Sequence, residues 1–250
     1  MSWEKRLTRP MCFFSAPNYY WMDADANAVC DAILAAGLDG PSVEFGGPDT
    51  AKEYNHQPFS GGIKDLYKLN IKAWAKWQKA IESHGLVAHI AFLNTNSSRN
   101  NTLSDADWTA LANEFTSIHG TKNKIILPAS EADSRTRPSI RSTLDRAFRA
   151  KFPSNQMISQ GSAGEGYSEY HSQRGTDIPN GNRQKLVVSD SGPAIGYLYG
   201  SDWRNGGSPN LTNISQYVAT CKAKGVSCSV YSFSKKFDKE GCKSAGKAWR

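Results

Sequence analysis

The stretch Lys124-Ile125-Ile126-Leu127-Pro128-Ala129-Ser130-Glu131-Ala132-Asp133 decides how the chain is read. An apolar run of strand length ends in two carboxylates, and patterns of helical period stand on both sides of it. A continuous apolar strand between helices marks a parallel sheet that is buried on both faces. Such a strand delivers the residues at its end, Glu131 and Asp133, to one edge of the sheet. Pro128 lacks the N–H that a central strand uses, so the strand either bulges there or stops at Leu127.

Upstream the same alternation repeats. Ser104 or Asp105 opens a helix whose inner face is Trp108, Leu111, Ala112, Phe115 and Ile118. Residues 86–94 form a strand that ends in Asn94. A long helix over residues 63–84 carries Leu66, Leu69, Ala73, Trp77 and Ile81 on one side, with Lys64, Lys68, Lys72, Lys76 and Lys79 on the other. The lysine row reads as a solvated face, with a polyanion track as the sharper alternative. A polar loop over 47–62 precedes it. In the short strand before that loop, Val43 and Phe45 share one face and Glu44 takes the other. Asp23 or Asp25 caps a helix containing Val29, Ile33, Leu34 and Ala36. The first strand, Met11-Cys12-Phe13-Phe14-Ser15-Ala16, ends at Pro17-Asn18 and the aromatics Tyr19, Tyr20 and Trp21.

Downstream, a helix over 136–152 leads to a strand that ends in Gln160. Residues 161–183 are polar and glycine-rich, and the next strand, 185–190, ends in Asp190. Residues 194–199 fit a strand or a helix start; a helix over 209–224, a strand at 226–233 and a basic tail at 234–250 complete the chain. Seven clear strands and one ambiguous segment point to an α/β (β/α)8 barrel occupying residues 1–250 as a single domain. One strand-helix unit within 161–224 is irregular or missing. A doubly wound dinucleotide-binding sheet is disfavoured, because no glycine-rich loop follows the first strand.

Lys plus Arg exceed Asp plus Glu by 30 to 23, giving +7 and a pI near 9.1. That balance favours anionic partners, whether nucleic acid, acidic polysaccharide, cell wall or anionic lipid, with simple solubility as the plain alternative because the charge is spread along the chain. Nucleic acid is not the favoured partner. No stretch approaches the ~20 apolar residues of a membrane span. The first ten residues contain no apolar run, so the expectation is cytoplasmic synthesis without a signal peptide, with release or virion association afterwards. Of five cysteines, Cys12 and Cys30 read as buried thiols, while Cys221, Cys228 and Cys242 cluster near one end. One disulfide among those three is open, with free thiols favoured. No C-x-x-C pair and no metal-type histidine spacing occurs, so no metal or cofactor is expected. Ser191 lies outside any G-x-S-x-G elbow, which argues against serine hydrolysis.

In a barrel the chemistry gathers at the carboxyl ends of the strands. Those ends carry Asn18, Glu44, Asn94, Glu131, Gln160, Asp190 and the region of Tyr231, with Tyr19, Trp21, Tyr199 and Trp203 near them. Carboxylates, amides and flat rings suit a sugar: one acid protonates the leaving oxygen and the other attacks or activates water. Asp133 reads as a helix cap, and His89, in mid-strand, as a hydrogen-bonded core histidine.

On these residues the chain resembles the barrel glycoside hydrolases. Their acid/base glutamate commonly ends the fourth strand, where Glu131 falls, and some place a second acid on the sixth, where Asp190 falls by this count. The sequence departs from the commonest form, since Ser130 and not asparagine precedes Glu131. The resemblance implies cleavage of a glycosidic bond by two carboxylates, Glu131 with Asp190 or Glu44. The basic charge and the missing signal suit a phage-type lysin or depolymerase acting on a cell-wall or capsular polysaccharide. Asn18, Tyr19, Trp21, Asn94, Gln160, Tyr199, Trp203 and Tyr231 would contact the sugar. The alternatives are a catalytically silent barrel that binds glycan or protein, and a phosphodiesterase or nucleic-acid enzyme.

Overall fold

A computed structural model describes residues 1–17, 21–45, 62–93, 98–129, 137–160, 167–181, 185–189, 192–200, 207–232 and 236–250. Its eight strands are β1 (Cys12–Ser15), β2 (Gly40–Glu44), β3 (Ala88–Ala91), β4 (Lys124–Leu127), β5 (Ile158–Gln160), β6 (Tyr167–His171), β7 (Lys185–Val188) and β8 (Ser227–Val230). They form one sheet in the order β4-β3-β2-β1-β8-β7-β6-β5, and every pairing is parallel. A parallel bridge between Ile126 and Met157 joins the two edges, so the sheet closes on itself. Gln156 reinforces that closure, donating from Nε2 to the carbonyls of Thr121 (2.7 Å) and Lys124 (2.8 Å).

The helices are α1 (Trp3–Arg6), α2 (Ala26–Ala36), α3 (Ile63–Ser83), α4 (Asp105–His119), α5 (Pro138–Arg149), α6 (Gly192–Tyr199), α7 (Leu211–Ala223) and α8 (Lys239–Trp249). The irregular unit lies within the expected region but has another form. Residues 194–199 are helical, and the strand that completes the set of eight is β6, Tyr167–His171, inside the stretch that reads as loop. Among the described residues no helix stands between β5 and β6 or between β6 and β7, whereas two follow β7. The basic segment 234–250 is largely helix α8, with Cys242, Ala245 and Trp249 buried in the core.

Strand alternation divides the core in two. Cys12, Phe14, Val43, Ala88, Ile90, Ile126, Val187, Cys228 and Val230 face the helices. Phe13, Ala91, Ile125, Leu127, Ile158, Leu186 and Val188 fill the interior, so the barrel is packed and not an open pore. Helix α3 buries Leu66, Tyr67, Ile71, Trp74, Trp77 and Ile81. Leu69, expected in that stripe, is exposed, because the buried positions 66, 67, 70, 71, 74, 77, 78 and 81 already complete one helical face. Two of its lysines serve the fold: Lys64 pairs with Asp107 of α4 at 2.5 Å, and Lys76 binds the carbonyls of Met22 and Ala24.

Caps are set locally. The Asp25 side chain accepts from the N–H groups of Asn27 and Ala28, and Gly37 (φ 78°) ends the same helix in the left-handed conformation. Ser104 and Asp107 form a reciprocal capping box at α4. At the other end of α4, the buried Lys124 ammonium donates to the carbonyls of His119 (3.0 Å), Gly120 (3.2 Å) and Lys122 (2.9 Å). Burial pulls its pKa down to about 7. The opening residue of β4 thus satisfies carbonyls that the helix end leaves free.

The amino-terminal end of the barrel is sealed by α1 and the residues after it. Leu7 and Met11 join the interior cluster with Trp3 packed against it. Asp39, 1% exposed, accepts from Arg6 Nη1 (2.9 Å), Arg9 Nη2 (2.6 Å) and the N–H of Cys12 (2.9 Å). Removing one partner of a buried ion pair leaves the other without compensation, so Asp39→Ala is expected to cost about 3–5 kcal/mol in urea unfolding. Asp39→Asn, which still accepts from Cys12, should cost less.

Candidate functional site

Strand direction gathers the carboxyl ends at one mouth, and the sequence there is polar. Glu44 is the last residue of β2 and is buried. It shares the inward parity of Gly40 and Ser42, since Val43 belongs to the helix-facing cluster. The orientation expected for Glu44, into the barrel, is what the strand shows. Its backbone carbonyl accepts from Trp21 Nε1 at 2.8 Å, which fixes the strand end from outside.

Below Glu44 lies His89. Ser42 and His89 are register partners on β2 and β3, and Ser42 Oγ lies 2.8 Å from His89 Nδ1. The Phe13 ring stands 5.8 Å from the imidazole. His89 Nε2 is buried without a hydrogen-bond partner among the described residues. Burial, helped by the charge of His171, pulls the His89 pKa down to about 3, so the ring is neutral at ordinary pH. The expectation of a hydrogen-bonded core histidine therefore holds for one ring nitrogen only. Ser229, in register with Phe13 on β8, has a second buried polar atom, Oγ, with no partner among the described residues.

His171 ends β6 opposite Val188 of β7. The sequence reads this stretch as loop because Tyr-Ser-Glu-Tyr-His lacks the apolar run of the other strands. The loop after it is organised by Asp177, which accepts from Ser172 Oγ (2.6 Å) and the N–H groups of Gln173 (2.8 Å) and Arg174 (3.0 Å). Burial opposes the Asp177 charge, but these donors outweigh it and hold the carboxyl at about 2. Gly175 is required in that loop: its φ is 74°, and a Cβ would lie 2.4 Å from the Tyr197 ring.

Among the described residues, the aromatic candidates Trp21, Tyr199 and Tyr231 are buried and do not stand on a rim. Trp21 is a core residue, 1% exposed, stacked on Phe45 at 5.1 Å and bonded through its carbonyl to Trp77 Nε1. Its indole is held under α3, which corrects its assignment as a sugar platform. Tyr199 is buried at the end of α6, where burial first and Asp238 next raise its phenol well above the ordinary value. Tyr231 is buried within the interior cluster just past β8. Gln160 closes β5, of which the backbone is described. Asn18, Tyr19, Asn94, Glu131, Asp190 and Trp203 lie outside the described residues. Strand β4 stops at Leu127, with Pro128 beyond it, so Glu131 follows a strand that ends at the proline. Because Tyr167–His171 is a strand, Asp190 follows the seventh strand and not the sixth.

Solved structures similar to this chain share the barrel. A family 5 glycoside hydrolase from Bacteroides vulgatus superposes with a TM-score of 0.54 at 10% identity, over 88% of this chain and 58% of that one. An α-L-fucosidase of family 29 from Bacteroides thetaiotaomicron gives 0.57 at 8% identity, over 98% of this chain and 72% of the fucosidase. The Lactobacillus casei α-L-fucosidase, solved with its α-L-fucose product, gives 0.57 at 12% identity, over 94% and 81%. What the chain shares with these structures is the parallel β/α barrel fold. The chain spans a little over half of the family 5 enzyme's length. No protein-family model matches it, and no curated protein matches it in sequence. Among the described residues no helix is long and apolar enough to cross a membrane.

The depressed His89 pKa has a stability consequence. Above pH ~6.5 the imidazole is neutral in folded and unfolded chains alike, and its contribution is complete. As the pH falls toward about 3, the unfolded ring takes a proton that the folded ring refuses, and stability is lost. His89→Gln, which cannot titrate, should shrink the stability difference between pH 7 and pH 4 by a few kcal/mol, on the order of 1.4 per pKa unit. Urea melts at the two pH values measure it.

Proposed function

We propose that the chain is a glycosidase acting on an anionic wall or capsular polysaccharide, with Glu131 as general acid/base and Asp190 or Glu44 as the second carboxylate. The observation that carries the reading is a closed parallel barrel with an inward-facing acid, Glu44, at the end of β2, within a fold shared with glycoside hydrolases. Glu131 and Asp190 come after the ends of β4 and β7 in sequence, which is the ground for assigning them to the same mouth as Glu44. The chemistry asked of them is protonation of the leaving oxygen by one carboxyl while the other attacks the anomeric carbon or activates water. Neutral His89 and Ser42 form a polar floor beneath Glu44 and are suited to bind hydroxyl groups, not to move a proton in the cleavage step. The formal charge of +7 supports an anionic polymer, in the manner of a lysin or depolymerase.

The test is reducing-end release from purified wall and capsular polysaccharides by the wild type and two variants. Glu131→Gln should lower turnover by at least about a thousandfold with polymer binding retained, as expected when a group acts chiefly in the transition state. If Glu44 is the second carboxylate, Glu44→Gln should fall as far; if Asp190 is, Glu44→Gln should lose no more than about tenfold. Unchanged release with Glu131→Gln removes that residue from the mechanism. Retained binding with no release from any polymer favours the silent glycan-binding barrel.

A further inference from the structure

The five cysteines are all buried, and four of them converge on one place outside the mouth. Cys12 of β1 and Cys228 of β8 are register partners on the helix-facing side of the barrel, and their sulfurs are 3.2 Å apart. Cys221 of α7 lies against Cys228, and Cys242 of α8 is near enough to act on Cys12. Among the described residues the group is not arranged to hold a metal ion. Neighbouring strands lie ~4.8 Å apart, within the Cα separation that a disulfide spans, and a rotation of both side chains would bring the sulfurs to ~2.05 Å. Cys221 projects from a helix across the layer and has no such register partner.

We propose that Cys12 and Cys228 are a conditional disulfide that staples the first strand of the barrel to the last when the chain folds in an oxidising environment. The pair sits 216 positions apart in sequence but side by side where the first strand of the barrel pairs with the last. The oxidant is a small-molecule disulfide such as oxidised glutathione. One cysteine thiolate attacks it, releasing one thiol and leaving a mixed disulfide. The second cysteine thiolate then displaces the other thiol. Each protein sulfur gives up one proton and one electron, and the oxidant leaves as two thiols. Both sulfurs are fully buried and their thiols are raised by that burial, so the reaction belongs to the folding chain or to openings of β8 and α8. A chain that has already folded in a reducing compartment would keep both thiols. The sequence alone groups Cys228 with Cys221 and Cys242; strand order re-pairs it with Cys12.

The test is to refold the full chain from urea with oxidised glutathione, block free thiols with iodoacetamide and map the unreduced peptides by mass spectrometry. The expected product is a Cys12–Cys228 linkage, two hydrogens lighter than the free pair, with a melting temperature about 5–10 °C above that of the reduced protein. Cys12→Ala and Cys228→Ala should each abolish the linkage and the shift, while Cys221→Ala, Cys242→Ala and Cys30→Ala keep both. A Cys221–Cys228 or Cys228–Cys242 linkage, or five alkylated thiols after oxidative refolding, overturns the proposal. Peptide mapping of the wild type decides it even if an alanine variant fails to fold.

Discussion

Closure of a parallel sheet on itself is the constraint on which the rest of this molecule depends. Once β1 pairs with β2 on one side and β8 on the other, and Ile126 bridges to Met157, no described strand keeps a free edge. Every strand then has two buried faces, and each side chain belongs either to the helix-facing layer or to the interior. Phe14 and Val43 go out; Phe13 and Ser42 go in. The polar residues that fall on inward positions, Ser42, Glu44, His89 and Ser229, have no route to solvent except through the mouth. The candidate site is thus a product of parity as much as of any local motif.

That division also separates the molecule's ionic groups into two kinds. Asp39 with Arg6 and Arg9, Lys124 with the carbonyls at the end of α4, and Asp177 with its N–H donors are buried or half-buried charges satisfied by the fold. Each fastens a chain segment, and none stands at the base of the mouth. His89 is different in kind, a neutral ring held at one nitrogen by Ser42 and unsatisfied at the other among the described residues. Buried polar atoms without partners are uncommon in folded proteins, and this one lies in the same interior as Glu44.

Much of the fold was legible because most strands are short apolar runs bounded by turn residues, and because β-α alternation is a strong pattern. Leu86 through Leu93 and Lys124 through Leu127 leave little room for another reading. The failure at β6 is physical: Tyr-Ser-Glu-Tyr-His is too polar to announce a buried strand, and its neighbours define it by pairing with Lys185–Val188. The site was less legible than the fold. Parity alone reads Glu44 as inward, opposite to Val43, but aromatic residues beside a strand end cannot be assigned to rim or core without knowing which helix covers them. Trp21 is the instance, claimed by Trp77 and Phe45 of the core. A mid-strand position says that His89 is buried but not that one of its nitrogens has no partner among the described residues.

The pairing of β1 with β8 also has a meaning for the chain as it is made. Synthesis runs from the amino end, so β1 emerges with half its hydrogen-bonding edge waiting for a partner 216 positions later. At ~5–20 residues per second that wait is about 10–45 s. Throughout it, Cys12, Phe13 and Phe14 sit on an open strand edge, the kind of surface that pairs readily with other chains. The interval between the first strand and the last is therefore when this chain has most need of a chaperone, and when a stalled ribosome would be most damaging to it.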